Sequence, residues 1–347
     1  MRNALALLVH GAAAMLAGAQ EATPEPEKPP RFIERISVER VLLDLRIVDS
    51  AGKPLLGLGP MDVAVSVDGT RAVVDSLRWV SGSAPYAEGL APEQAAAAGV
   101  EPAPAGRLVV FLFQKDISES SRITGLMRMK TRAARLLDSL EPEDRVAVLS
   151  FDTHLRLWTD FTRDRGRLRR IVERSILMEE PPQVVPEQAP SLLTGLDPRA
   201  ARRAASPEEG LLVLARALLP LPGTKSVAFF GWGLGELSGG RVAMRPEYDA
   251  ARKALKDARA IVFSLDVTDA DYHDLEIGLE QVAEDTGGFY VKTHDFPELA
   301  MARLEGALAG YYSLSFEKPF LPSGVHAVEV RLVGRRGEVL TSGTYVD

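Results

Sequence analysis

Asp116, Ser118 and Ser120 alternate in the stretch Lys115-Asp-Ile-Ser-Glu-Ser-Ser121, where an apolar run, Leu108 to Phe113, gives way to polar residues. One carboxylate and two hydroxyls at the end of a buried strand offer hard oxygen ligands of the kind Mg²⁺ or Ca²⁺ takes. The same residues also suit a helix start, where Ser and Asp side chains accept from free backbone N–H groups. Capping is the expected role, and the metal role is the alternative. Three more residues are candidates for contact with a partner. Trp232 stands among Gly231, Gly233 and Gly235, Glu236 follows it, and His154 comes just after the apolar run that ends at Phe151. Trp232 is read either as an interface anchor or as a buried plug.

Other chemistry has little to stand on. There is no Gly-x-Ser-x-Gly and no His-Glu-x-x-His, and the chain has five histidines in 347 residues. A hydrolase with a composite site therefore remains only a distant alternative. The glycine-rich Gly231–Gly240 stretch lacks the Gly-Lys-Ser/Thr ending of a phosphate loop. Asp266, Asp269, Asp271 and Asp274 surround His273 without the spacing of an EF-hand, so helix capping and a solvated loop are expected there. There is no cysteine, which rules out disulfides and thiolate chemistry. A formal net charge of −7 argues against a nucleic-acid partner. The arginines between Arg163 and Arg170 are interleaved with acids and read as a solvated helix face.

The elements that must carry these residues are legible from pattern. Residues 1–19 have a basic start, an apolar stretch and a small-x-small ending, as a secretory signal peptide does. A secreted or periplasmic protein is expected, with no integral membrane span after cleavage. Residues 20–31 form a Pro/Glu-rich disordered leader. Residues 32–81 are a β segment with a hairpin signal at Asp68-Gly69. An Ala/Pro linker follows at 82–106. From 107 to 310, apolar strands alternate with helical stretches, which predicts a doubly wound α/β domain with a parallel sheet. Helices are expected over about 120–140, 163–178, 206–218, 245–259, 274–287 and 296–310. Residues 311–347 return to β, and the two β segments together are expected to form a small β-sandwich, of Ig-like type.

Three stretches carry a resemblance. The segments 141–172, 221–230 and 282–291 resemble the von Willebrand factor type A domain, and more narrowly the bacterial VWFA-related proteins. Those are also similar at 45–69 and at the closing strands Gly310–Phe316 and His326–Leu332. The resemblance implies a Rossmann-like three-layer fold and an exported protein-binding module without catalysis. It also implies a metal-ion-dependent adhesion site: Asp-x-Ser-x-Ser from the first strand end, a Thr before the central helix, and an Asp after the central strand. Asp116, Ser118 and Ser120 match the first part. Thr194 or Ser206 would supply the hydroxyl. Trp232 stands where the second acid should be, and an indole cannot ligate a cation. The register also allows Gln114, directly after the apolar strand, to hold the first acid's place. A degenerate site is therefore expected, with no cofactor or at most weakly held Mg²⁺ or Ca²⁺. The expected function is metal-independent recognition of an unidentified protein partner, and a Mg/Ca-dependent adhesion module is the alternative.

Overall fold

The computed structural model describes residues 39–81, 106–116, 119–186 and 189–346. The signal-peptide and leader readings, most of the linker and Ser118 lie outside the described residues.

A six-stranded sheet forms the centre. Its strands are β5 (Leu108–Gln114), β6 (Arg145–Phe151), β7 (Leu155–Thr162), β8 (Lys225–Gly231), β11 (Ala260–Asp266) and β12 (Tyr290–Lys292), in the order β12-β11-β8-β5-β6-β7. All neighbours are parallel except β7, which returns antiparallel to β6. β5, β6, β8 and β11 are buried along their whole length, which explains their unbroken apolar runs.

Helices cover both faces. One layer holds α1 (Ser120–Ser139) and α2, which runs through Arg165–Arg170, a π-turn at Ile171–Ser175 and Ile176–Met178. The same layer receives α7 (Pro297–Leu308), and Phe111, Phe230 and Phe263 fill the space beneath. The other layer holds the short α3 (Pro198–Arg203), then α4 (Pro207–Leu218), α5 (Glu247–Asp257) and α6 (Glu276–Thr286), over Leu112, Leu149, Phe229 and Val262. α4 begins as its sequence indicates: Ser206 is the N-cap and accepts from the Glu209 N–H, with Pro207 in the first turn.

The strands outside this α/β body form two antiparallel four-stranded sheets. One has the order β15-β1-β13-β4, built from β1 (Arg40–Val48), β4 (Val74–Ser81), β13 (Gly310–Glu317) and β15 (Glu338–Leu340). The other has the order β16-β14-β2-β3, from β2 (Val63–Val67), β3 (Thr70–Ala72), β14 (Val325–Leu332) and β16 (Thr344–Val346). Leu45, Val65, Leu77, Phe316 and Val328 share one core, so strands from both ends of the chain make one sandwich. The Asp68-Gly69 turn joins β2 to β3 with φ of 48° and 80°, as a tight hairpin turn requires. Arg46 fixes β1 to the α/β body. Its guanidinium donates to the Ala307 carbonyl and the Ser226 hydroxyl and lies over the Phe263 ring.

At the base of the sheet, Lys225 begins β8 with 2% exposure and donates to the Leu221 carbonyl at 2.6 Å. Burial lowers its pKa from 10.5 to about 8. Between those values the unfolded chain binds the extra proton, so the cost to folding is complete below pH 8 and fades toward pH 10.5. That difference corresponds to about 3 kcal/mol. Losing the bond to Leu221 costs about 1 kcal/mol. Lys225→Met is thus expected to stabilise the chain by about 2 kcal/mol at pH 7 and to lose that advantage by pH 10.5. Urea titrations at the two pH values check this; a Met variant less stable at pH 7 contradicts it.

Candidate functional site

The carboxyl ends of β5, β8 and β11 come together at the upper edge, where parallel α/β sheets place ligands. Gln114 ends β5 and is 1% exposed. Its Oε1 accepts from the N–H groups of Trp232 and Gly233, at 2.9 and 3.2 Å, and its Nε2 donates to the Gly233 carbonyl at 2.9 Å. A neutral amide thus clamps the loop that leaves β8. Gly231 is closely packed here: a Cβ would lie 3.0 Å from Gln114 Oε1 and 2.9 Å from the Phe229 ring, so these side chains would have to give way.

Asp116 comes two residues later and is ion-paired with Arg122, from the first turn of α1. The Arg122 guanidinium also lies over the Trp232 indole, 3.8 Å from its centroid. Trp232 is half-buried and packs against the aromatic core, and its Nε1 is buried with no acceptor. The capping expected nearby does not form at the N-cap itself: that residue is Glu119, and its side chain makes no capping bond. Ser120 is exposed as the first residue of α1.

The remaining sequence candidates are spread around this centre. His154 sits in the turn between β6 and β7, 3.1 Å from Thr153 Oγ1 and 3.9 Å from Asp152. Burial raises the Asp152 pKa, but the Thr153 N–H, Arg156 and Lys115 outweigh it and hold it below the ordinary value. Trp158, beneath this turn, is fully buried and donates to Ser150 Oγ at 2.8 Å. Glu236 lies on an outward hairpin of β9 (Glu236–Ser238) and β10 (Arg241–Ala243), exposed and 3.2 Å from Arg245. Thr194 donates within its own turn to the Ser191 carbonyl, and Ser206 is committed to its cap.

Glu208, which sequence reading passed over, belongs to the same edge. It is fully buried in the first turn of α4, accepts from the Gly235 N–H at 2.5 Å, and has no partner for Oε2. The N–H groups of Trp232, Gly233 and Gly235 therefore all point at side-chain acceptors of this edge. Asp116 is engaged by an arginine and Gln114 is neutral, while Ser118 of the Asp-x-Ser-x-Ser pattern lies outside the described residues.

A second group was also misjudged from sequence. Asp266 ends β11 at 1% exposure rather than lying in a solvated loop. Its Oδ2 accepts from His273 Nε2 at 2.8 Å and from the Tyr290 hydroxyl at 2.9 Å; its Oδ1 accepts from the Thr268 hydroxyl and N–H. Burial favours the neutral acid, yet the His273 and Thr268 bonds hold the Asp266 pKa below its ordinary value. Burial and this carboxylate push the Tyr290 phenol far up. The telling signal was a carboxylate closing a wholly buried strand, Ala260–Asp266, where it must find donors.

The chain is similar in structure to von Willebrand factor type A proteins. One, from Catenulispora acidiphila, is 9% identical with a TM-score of 0.43, covering 89% of this chain and 72% of that one. Proximal thread matrix protein 1 of the mussel byssus is 14% identical with a TM-score of 0.40 over 58% of this chain, which spans about half (48%) of that one. The conserved hypothetical protein BatB from Bacteroides thetaiotaomicron is 16% identical with a TM-score of 0.36, over 58% of this chain and 99% of that one. No family model and no curated protein sequence matches the chain.

Proposed function

We propose that the chain is an exported, non-enzymatic protein-binding module that recognises its partner through the upper edge around Trp232 without a divalent cation. The reading rests on one observation: the Arg122 guanidinium is paired with Asp116 and stacked on the indole. A permanent internal cation thus supplies the positive charge at this edge. A stack of this kind contributes about 0.5–2 kcal/mol. It leaves an aromatic and a guanidinium side by side, the two side-chain types most enriched in interface anchors. Lys115, Arg156 and His154 continue the edge beside it. Among the described residues, no helix is long and apolar enough to cross a membrane.

Two measurements test the reading together. Calorimetric titration with Mg²⁺, Mn²⁺ and Ca²⁺ is expected to give no saturable binding at the upper edge. Capture of a defined partner by the immobilised chain should be indifferent to EDTA and fall at least tenfold in Trp232→Ala, since a buried aromatic anchor supplies about 2 kcal/mol or more. Micromolar Mg²⁺ binding abolished by Asp116→Ala, or partner release by EDTA, would instead establish the metal-dependent alternative.

A further inference from the structure

The corner where β11 and β12 end holds chemistry that the upper-edge reading does not use. Asp266 Oδ2, His273 Nε2 and a Glu276 carboxylate oxygen lie within 4.8 Å of one another. They come from a strand end, a loop and the first turn of α6. His273 and Glu276 are three residues apart, and the Glu276 N–H bonds to the His273 carbonyl at 3.2 Å, so one turn presents both side chains on one side. We propose that Asp266, His273 and Glu276 form a binding site for a borderline transition-metal ion of the Zn²⁺ class, distinct from the Asp-x-Ser-x-Ser edge.

The donor set selects the ion. An imidazole with two carboxylates suits Zn²⁺ or Co²⁺ and disfavours Mg²⁺ and Ca²⁺, which take oxygens alone. Tetrahedral ligands at about 2.1 Å from zinc are separated by about 3.4 Å. Asp266 Oδ2 and His273 Nε2, at 2.8 Å, would have to separate by about 0.6 Å, and the Glu276 carboxylate, within 4.8 Å of both, would close in. The outer contacts that orient metal-binding carboxylates are present too. Tyr290 donates to Oδ2 and Thr268 to Oδ1, which fixes the Asp266 carboxylate without occupying all of its lone pairs. Ser264, on the same face of β11 two residues earlier, is fully buried with an Oγ that has no partner.

A stand-in charge completes the picture. The Lys292 ammonium sits 2.7 Å from Glu276 Oε2, and its side chain is 30% exposed. It also donates to the Asp271 carbonyl, so it keeps an acceptor when it leaves Glu276. Binding at His273 Nε2 would shift the ring proton to Nδ1 and displace this ammonium from Glu276, one dication then neutralising the two carboxylates. The neighbouring group of Asp271, His294 and Asp295 has the same residue types, but Asp271 and Asp295 are 97% and 64% exposed and no buried residue anchors them.

The experiment is titration of the full chain with Zn²⁺ against a chromophoric competitor, and with Co²⁺ read by its visible absorption. One ion per chain is expected, with a cobalt band indicating nitrogen ligation. His273→Gln and Glu276→Gln should each weaken binding by at least tenfold, while Lys292→Met binds as tightly or more tightly, and His294→Gln and Asp116→Ala are unchanged. Two replacements guard against misfolding: Glu276 makes no bond to Asp266 itself, so its variant keeps the test open if His273→Gln does not fold. Absence of binding, or binding lost in His294→Gln and retained in both His273→Gln and Glu276→Gln, overturns the proposal. Because the upper-edge reading rests on Arg122, Asp116 and Trp232, and none of these is a proposed ligand, failure here leaves that reading standing.

Discussion

Asp144→Ala is expected to cost about 3–5 kcal/mol, the range found when one member of a buried ion pair is removed. Asp144 is fully buried in the turn before β6. Its Oδ1 accepts from the Arg107 N–H and Arg107 Nε, both at 2.8 Å, and its Oδ2 accepts from the Glu141 N–H at 2.8 Å and pairs with Arg107 Nη2. Arg107 also donates to the Leu308 carbonyl at the end of α7, and Arg165 donates to the Asp144 carbonyl. One carboxylate therefore ties the entry of β5, the turn into β6 and the last helix together. Alanine would strand a guanidinium of which only 15% is exposed, together with two backbone donors. Asp144→Asn separates charge from shape. It keeps an acceptor for the Arg107 N–H but turns an NH₂ toward the Glu141 N–H, so it should recover less than half of the loss. Denaturant midpoints of the three proteins decide it. An alanine variant within 1 kcal/mol of the parent would mean the pair adds nothing beyond its own desolvation.

The alternation of apolar strands and helices was open to sequence reading because the central strands are buried on both faces and are mostly apolar. The Asp68-Gly69 turn and the Ser206 cap were legible for a local reason: each is specified within four residues. β7 was missed. Leu155–Thr162 is an edge strand whose register against β6 shifts twice, so its side chains do not alternate cleanly. The β9–β10 hairpin was hidden in a glycine-rich stretch that buries almost nothing and so leaves no periodic trace. At the upper edge, the replacement of an acid by Trp232 was visible, and so was the ambiguity between Gln114 and Asp116. What covers the indole was not. Arg122 and Trp232 are 110 positions apart, and nothing in either stretch encodes that a guanidinium from α1 will lie on that ring. The Asp266 group failed differently, through counting acids and a histidine in a loop without asking which of them a buried strand would carry inward.

Gly125→Ala shows how far the edge depends on one close approach. Alanine favours helix over glycine by about 1 kcal/mol, so an α1 free to move would gain from the change. α1 is not free. A Cβ at Gly125 would lie 1.5 Å from the Val267 carbonyl oxygen and 2.7 Å from its carbon, which are backbone atoms that cannot rotate away. Val267 is held in turn by its N–H bond to the Gly231 carbonyl at 2.8 Å, so the strain passes into the loop that Gln114 clamps. Overpacking of this kind costs about 1–3 kcal/mol and more when backbone must shift, so a net loss of about 2 kcal/mol or more is expected despite the better helix former. Arg122 lies one turn before Gly125 on the same helix, so lifting α1 also withdraws the guanidinium from Trp232. Stability and recognition should therefore fall together in Gly125→Ala, whereas Trp232→Ala should reduce recognition with a smaller change in stability. A Gly125→Ala protein as stable as the parent, with partner capture intact, would show that α1 is not seated on the end of β11, and the pairing of Arg122 with the indole would lose its structural support.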